Sequence, residues 1–455
     1  MRGGVEEKVL EALRPTQFQL GMLTRLYNVV ESRLAKCPEI AGVKGRVEAV
    51  GSFAKGTLLS DKWEIDVFLL LEGVDDSWIA EKAGDLLHTC LHGLPVISKY
   101  SQHPYVTLAV MGMEADIVPA KLISDPARAR GVERTPFHTR WVKERITPWL
   151  ADEVRLFKSF LKGIGVYGAE TARGGFSGYL AEVLTIGYNG FHGVLEEASQ
   201  WRPPVTVDPH GAGDPERLAR RYRSSPLVIP DPVDPDRNVA AAVTIRSLAT
   251  FILAARTYLE APGEWYFHTH QPTLPPSLSA PAVAACLEGP MYTQPPQDVE
   301  GRLARLSSYM ATKLGEAGFR VLHHGFSWDG GSRAVVYVLM ESLTLPGVEA
   351  MQGPEAWSDM ERVAKFIEKR LREGGSVWLS DSLLLGFRPR RILYALEALY
   401  KVLASAPLPR GARVSRSFTC PGAGCEGWCG REVERGADPT PAWIRLAYTP
   451  RRPRS

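Results

Sequence analysis

The sequence predicts an α+β chain of several domains, and three observations carry that reading. A continuously apolar stretch, residues 67–71, follows two carboxylates, Glu64 and Asp66, and precedes a second strand-like pair, 105–110 and 113–118. From about residue 153 to 259 the apolar residues change to helical spacing. Beyond Pro262 strand-like and helix-like runs mix again, and 455 residues suit two to four domains with ample core.

Taken in order, residues 5–35 read as two helical stretches meeting at Pro15, which sits poorly inside one helix. Val47, Glu48, Ala49 and Val50 alternate like a strand, and Gly51 then lets the chain turn. Ser52 is expected to cap the helix that follows, with its N–H groups facing an anion and Lys55 one turn on. Glu64 and Asp66 come next. In a strand they share a face with Phe68 and Leu70, their Cα atoms roughly 6.5–7 Å apart. The apolar run suggests a strand covered on both sides, where a carboxylate is costly unless partnered, and a divalent cation suits two. A helix cap followed by a solvated strand end is the plainer alternative.

A helix is expected around 78–91, and Met111-Gly112 suits a tight hairpin between the two later strands. Glu114, Asp116 and Val118 share one face; Glu114 lies nearer the turn and is left out of the carboxylate set. Pro119 and the polar stretch 124–131 are read as closing this unit. In the helix from about 153, Val154, Phe157 and Leu161 form an apolar side, with Arg155, Lys158 and Lys162 as a basic stripe. On those grounds alone Lys158 reads as a surface lysine lying along apolar neighbours. Helices follow at 179–198 and 238–259, joined by a Pro-rich connection, 202–236, expected outside the core. Later, 320–322 and 334–340 look like strands, and 357–371 and 391–403 like helices.

Cys420, Cys425 and Cys429 are three of six cysteines, and structural zinc, a disulfide and free thiols all stand as readings. Gly422 to Gly427 is a formal GxGxxG; with no strand expected before it and no helix after, it is rejected as a dinucleotide site. The formal net charge of +3 gives no overall polycation argument. From Arg388 onward it is +8, leaving −5 over the first 387 residues, which fits either a phosphate-rich partner held by the C-terminal part or a solubilising tail. No run of 18 apolar residues occurs and the first residues lack an apolar segment, so no membrane and a cytoplasmic location are expected. Asparagine stands only at 28, 189 and 238, a scarcity that suits a heat-adapted source or a GC-rich genome.

With Gly51-Ser52, Glu64-x-Asp66 and Asp116 in place, the chain resembles polymerase-beta-type nucleotidyltransferases. Arg134-Thr135-Pro136-Phe137-His138, Tyr167-Gly168-Ala169-Glu170, Gly175-Phe176-Ser177-Gly178-Tyr179-Leu180 and the run from Asp231 to Ala241 narrow the resemblance to archaeal, class I CCA-adding enzymes. It is strong to about residue 260 and weaker through Gly353-Pro354-x-x-Trp357 to near 405, with no family motif matched beyond. It implies a catalytic head (1–150), a helical neck (151–262), and an α/β body and tail (263–455) that hold the tRNA acceptor arm. It further implies Mg2+ on Glu64, Asp66 and Asp116, triphosphate contacts from Ser52 and Lys55, and a nucleotide pocket completed by Thr135, His138, Lys158 and Tyr167. Arg237 would reach the base edge, with Asn238 beside it as a second donor. Lys55 stands where the family pattern has arginine. The implied activity is addition of C, C and A to tRNA from CTP and ATP by two-metal transfer, and a homodimer is left open. A poly(A) polymerase or oligoadenylate synthetase is the enzymatic alternative, and a non-catalytic RNA-binding protein the other.

Overall fold

Pro15 separates α1 (Gly4–Leu13) from α2 (Gln17–Leu34), and the Thr16 side chain accepts from Gln19 N–H to cap the second. The computed structural model describes residues 4–100, 104–170, 174–267, 280–420, 425, 427–436 and 443–444. The chain forms two compact units, residues 1–272 with 441–455, and residues 273–440.

In the first unit α3 (Cys37–Ile40) leads into β1 (Gly45–Val50), α4 (Gly51–Lys55), β2 (Glu64–Leu71), α5 (Asp76–Cys90), β3 (Val96–Tyr100), β4 (Pro104–Val110) and β5 (Met113–Lys121). The sheet order is β1-β2-β5-β4-β3, with β2 and β5 parallel and the other pairs antiparallel. The expected hairpin is present, with Met111 at φ 51° and Gly112 at φ 78°. Strand β2 is covered on both faces: Ile65, Val67, Leu69 and Leu71 join one core, Phe68 and Leu70 another. β5 runs through Pro119 to Lys121 rather than ending there. β4 pairs with β5 only from Met113 to Ile117, so Pro119 sits where no ladder donor is needed on that side.

Helices α6 (Thr135–Lys143), α7 (Pro148–Gly163), α8 (Gly178–Gly187), α9 (Phe191–Ser199), α10 (Pro215–Arg221) and α11 (Ile245–Glu260) follow, with a short parallel pair, β6 (Val205–Thr206) and β7 (Leu227–Val228). The single helix expected over 179–198 is two, broken where Asn189 and Gly190 take positive φ of 52° and 115°. Asn238 to Thr244 precede α11 outside the helix, and the Thr244 side chain accepts from Ser247 N–H to cap it. Phe157, Phe160, Phe191, Phe251, Tyr258 and Tyr266 centre one core, where truncating a single ring to Ala costs about 3–5 kcal/mol. Val205, Leu227 and Ile229 join that core, so the 202–236 connection is not outside it; its prolines and charges ride on a short apolar pair.

The second unit holds β8 (Ala282–Glu288), α12 (Pro296–Glu316), β9 (Val321–Trp328), β10 (Arg333–Met340), β11 (Val348–Glu355), α13 (Met360–Arg372), β12 (Val377–Ser380), β13 (Leu383–Pro389), α14 (Ala395–Leu403), β14 (Arg413–Cys420) and α15 (Gly427–Gly436). An antiparallel sheet, order β14-β8-β10-β9, packs residues of α12 and α14 on one face and of α15 on the other. A three-stranded sheet, order β11-β13-β12, carries α13. The glycine-rich run 422–427, mostly outside the described residues, does lie between a strand and a helix. β14 is an antiparallel edge strand rather than the first strand of a parallel unit, so the rejection as a dinucleotide site stands on that ground instead. All six cysteines are paired: Cys37–Cys90, Cys286–Cys429 and Cys420–Cys425. The free-thiol reading of the C-terminal three is thereby replaced, and Cys429 reaches a strand far back in sequence rather than its near neighbours. Arg445, Arg451, Arg452 and Arg454 lie outside the described residues.

Candidate active site

The parallel pairing of β2 with β5 sets Glu64 opposite Glu114 and Asp66 opposite Asp116. Three expected carboxylates thus meet where both parallel strands begin. Gly51 starts α4 at φ +70°, and a Cβ there would overlap Asp66 Oδ2. Only glycine lets the turn approach that carboxylate. Ser52 is not the cap: Val50 occupies that position without a side-chain bond, and Ser52 is the second helical residue, half-buried. The Ser52 hydroxyl finds no partner among the described residues.

Each carboxylate has a different environment. Lys62 Nζ lies 3.1 Å from Glu64 Oε2, while Thr107, buried on β4, donates its hydroxyl to Asp116 Oδ1 at 2.5 Å. Burial first, then the charges of Glu64 and Asp116, push the Asp66 carboxyl up to about 7. Crowded hard-oxygen donors with a destabilised charge in their midst fit a divalent cation such as Mg2+. They stand wider apart than a closed coordination shell. Among the described residues, the one set of three ligand atoms within 4.8 Å of one another is Cys420, Cys425 and Glu434, whose sulfurs are joined in a disulfide.

Behind this edge, Lys55 and Lys158 converge on a residue that the sequence reading missed. Glu182 on α8 receives Lys55 Nζ at 2.7 Å and Lys158 Nζ at 2.8 Å, with the Thr57 hydroxyl at 2.7 Å. Lys158 also donates to Thr57 at 3.0 Å. All four side chains are buried. Burial alone would raise the Glu182 carboxyl; Lys158 and Lys55 outweigh it and hold the group ionised. Two ammonium groups against one carboxylate leave a residual positive charge, the sign a triphosphate requires. Lys158 is therefore no surface lysine, and its stripe faces the loop after α4. Arg155 donates to the carbonyls of Gly56 and Leu58, at 2.6 and 2.8 Å, and Lys162 pairs with Asp61 at 2.7 Å. Tyr167 sits close by: a Cβ on Gly178 would come within 2.9 Å of its hydroxyl, and burial raises that phenol further above its usual range.

A second cluster joins α6 to the loop before α11. His138 stacks on Tyr179, ring centroids 3.8 Å apart, and Lys55 Nζ lies 5.6 Å from the Tyr179 centroid. Asp231, fully buried, takes His138 Nε2–H at 3.1 Å, Tyr179 O–H at 3.0 Å and Arg237 Nη1–H at 2.6 Å. Because a carboxylate only accepts, Nε2 carries the His138 proton; burial lowers the imidazole from its usual value, against the pull of Asp231. Thr135 opens α6 as its first residue, half-buried. Asn238 is withdrawn from any ligand: Oδ1 accepts from Ile229 and Ala240 N–H, Nδ2 donates to Leu227, and the residue is 1% exposed. Glu182 and Asp231 were both legible as acids among apolar or proline neighbours, in Leu-Ala-Glu-Val-Leu and Ile-Pro-Asp-Pro.

A mixed sheet with carboxylates gathered at the start of its two parallel strands, a glycine-serine turn against them and buried lysines behind defines a nucleotidyltransferase. The family described as nucleotidyltransferase domain matches residues 32–138, tRNA nucleotidyltransferase second domain matches 152–268, and CCA-adding enzyme C-terminal domain matches 295–420. The CCA-adding enzyme of Aeropyrum pernix is 48% identical over 450 residues, 97% of this chain and 96% of that one. Those of Saccharolobus shibatae and Sulfurisphaera tokodaii are 33% and 34% identical, each over 87% of this chain and 91% of theirs. The chain belongs to the family of CCA-adding enzymes. No helix among the described residues is long and apolar enough to cross a membrane.

Proposed function

We propose that this chain adds C, C and A to the 3′ end of tRNA, taking the nucleotides from CTP and ATP. The observation that carries the reading is the strand register that brings Glu64 and Asp66 level with Glu114 and Asp116. Glu64, Asp66 and Asp116 would hold Mg2+, which would supply positive charge to the triphosphate and the primer hydroxyl. Asp116, fixed through one oxygen by Thr107, has a second oxygen with which it can orient or accept the proton of a 3′-hydroxyl. Ser52, whose hydroxyl meets no partner among the described residues, and the Lys55–Glu182–Lys158 cluster receive the triphosphate. Positioning and charge do most of what the transfer needs. His138, Tyr167 and Thr135 shape the sugar and base pocket, and Arg237 faces the base edge. The basic C-terminal part, including the Arg413 and Arg416 side chains exposed on β14, holds the acceptor arm through phosphates.

A poly(A) polymerase or oligoadenylate synthetase has no need of CTP, whereas the family membership favours a protein that uses it. The test is extension of tRNA lacking its CCA, beside an unstructured RNA primer of equal length, with each of the four nucleotides singly. The reading expects CTP to extend the tRNA and leave the unstructured primer almost untouched. Efficient adenylation of both RNAs by ATP alone would favour the polymerase alternative.

A further inference from the structure

We propose that Asp231 is a positioning residue for nucleotide selection, aiming Arg237 at the base; the inference rests on the reading that Arg237 faces the base edge. The Asp231 carboxylate is fully used. Oδ2 accepts from Arg237 Nη1 at 2.6 Å and His138 Nε2 at 3.1 Å. Oδ1 accepts from the Tyr179 hydroxyl at 3.0 Å and Val233 N–H at 3.0 Å. The side chain is 0% exposed, whereas that of Arg237 is 36% exposed.

The arginine is thus tethered at one nitrogen. Among the described residues its other guanidinium N–H groups meet no acceptor. Its backbone is fixed as well: Asp231 N–H donates to Arg237 C=O, and Arg237 N–H to Asp234 C=O. Holding one end of a planar fork leaves the remaining donors in a defined plane, which a donor/acceptor pattern on a base requires and a phosphate does not. The same carboxylate also binds His138 on α6, which packs against α4 and against β1 of the carboxylate-bearing sheet. The base-facing arginine is therefore registered against the element beside the reacting groups. A buried acid serving only the loop would be satisfied by Val233 N–H and Tyr179; the two further side-chain donors both belong to the nucleotide pocket.

The test is single-turnover addition of CTP, UTP, ATP and GTP to tRNA lacking CCA, with tRNA affinity and thermal melting measured in parallel. The proteins are the native chain, Asp231→Asn, Arg237→Ala and the double variant. Asp231→Asn keeps the size and the Oδ1 acceptor but releases the guanidinium. It is expected to narrow the preference for CTP over UTP, and for ATP over GTP, by about tenfold, with tRNA affinity unchanged or tighter. In the Arg237→Ala background it should narrow nothing further. If Arg237→Ala leaves selection intact, the base-edge reading itself fails. If Arg237→Ala narrows selection and a folded Asp231→Asn does not, or if the two effects multiply, the role of Asp231 is overturned. Should Asp231→Asn not fold, Asp231→Glu, which displaces the charge by one methylene, carries the same comparison.

Discussion

Replacing Asp66 by asparagine separates the catalytic reading of the carboxylate edge from a purely structural one. Burial, then Glu64 and Asp116, displace its carboxyl from 3.8 up to about 7. The metal-free folded chain therefore keeps a proton there between about pH 4 and 7 that the unfolded chain has released, so stability falls as pH rises through that window. The full displacement corresponds to roughly 4 kcal/mol lost by pH 8, an upper limit because partial solvent access screens the charge. Asp66→Asn removes the charge and should stabilise the metal-free protein by about 1–4 kcal/mol at pH 8, and by less than half of that at pH 5. It should also abolish nucleotide transfer and leave tRNA affinity unchanged or slightly tighter, since one charge that repels phosphate is gone. Added Mg2+ should raise the melting temperature of the native chain and leave the variant nearly unmoved, because only a bound ligand shifts stability by mass action. The assays are urea or thermal melts in EDTA and in Mg2+ at both pH values, beside labelled-CTP incorporation. Equal stability of the two proteins in EDTA at pH 8, or turnover above a few per cent, would make Asp66 a solvated strand end.

Glu182→Gln leaves two buried ammonium groups facing a neutral amide and should cost about 3–5 kcal/mol in chemical denaturation; a loss below about 1 kcal/mol would mean that the ion cluster contributes little. Thr107→Val keeps shape but removes the donor to Asp116, so several-fold more Mn2+ should be needed for saturation in a direct binding titration, with tRNA affinity unchanged; an unchanged titration would deny Thr107 its part. Arg413 and Arg416 project from β14, an edge strand paired with β8, so cutting the chain before Arg410 should unfold the sheet as well as weaken RNA binding. Point changes of both to Gln are the cleaner probe: the slope of log K against log salt should flatten by up to about 0.9 per lost phosphate contact, and an unchanged slope would assign these arginines elsewhere.

What the sequence disclosed was local. Pro15, the Met111-Gly112 hairpin and the apolar β2 run each announce their structure within a few residues. The faces of Glu64, Asp66 and Asp116 could be read from strand alternation, though not the register that levels them. α12 went unread although Val299, Leu303, Leu306, Met310 and Leu314 mark one helical face, all fully buried. β8 was hidden by alanines, whose weak strand preference is overruled by burial between two neighbours. The buried polar centres were the least legible. Lys55 meets Glu182 across 127 residues and His138 meets Asp231 across 93, pairings that only the folded chain selects. Lys158 looks like a surface residue in the sequence because its partners, Glu182 and Thr57, stand 24 and 101 residues away. An isolated acid in an apolar helix was the signal available, and it marks a need for a partner without naming one.

The most direct measurement is sequencing of the 3′ ends formed when the native chain acts on tRNA lacking CCA, with CTP alone, ATP alone and both together. Two added cytidines are expected with CTP alone, almost no extension with ATP alone, and products ending in CCA with both. Asp116→Asn should leave every end unextended under all three conditions. Runs of adenosine from ATP alone, or CCA ends made as readily by Asp116→Asn, would contradict the proposed function.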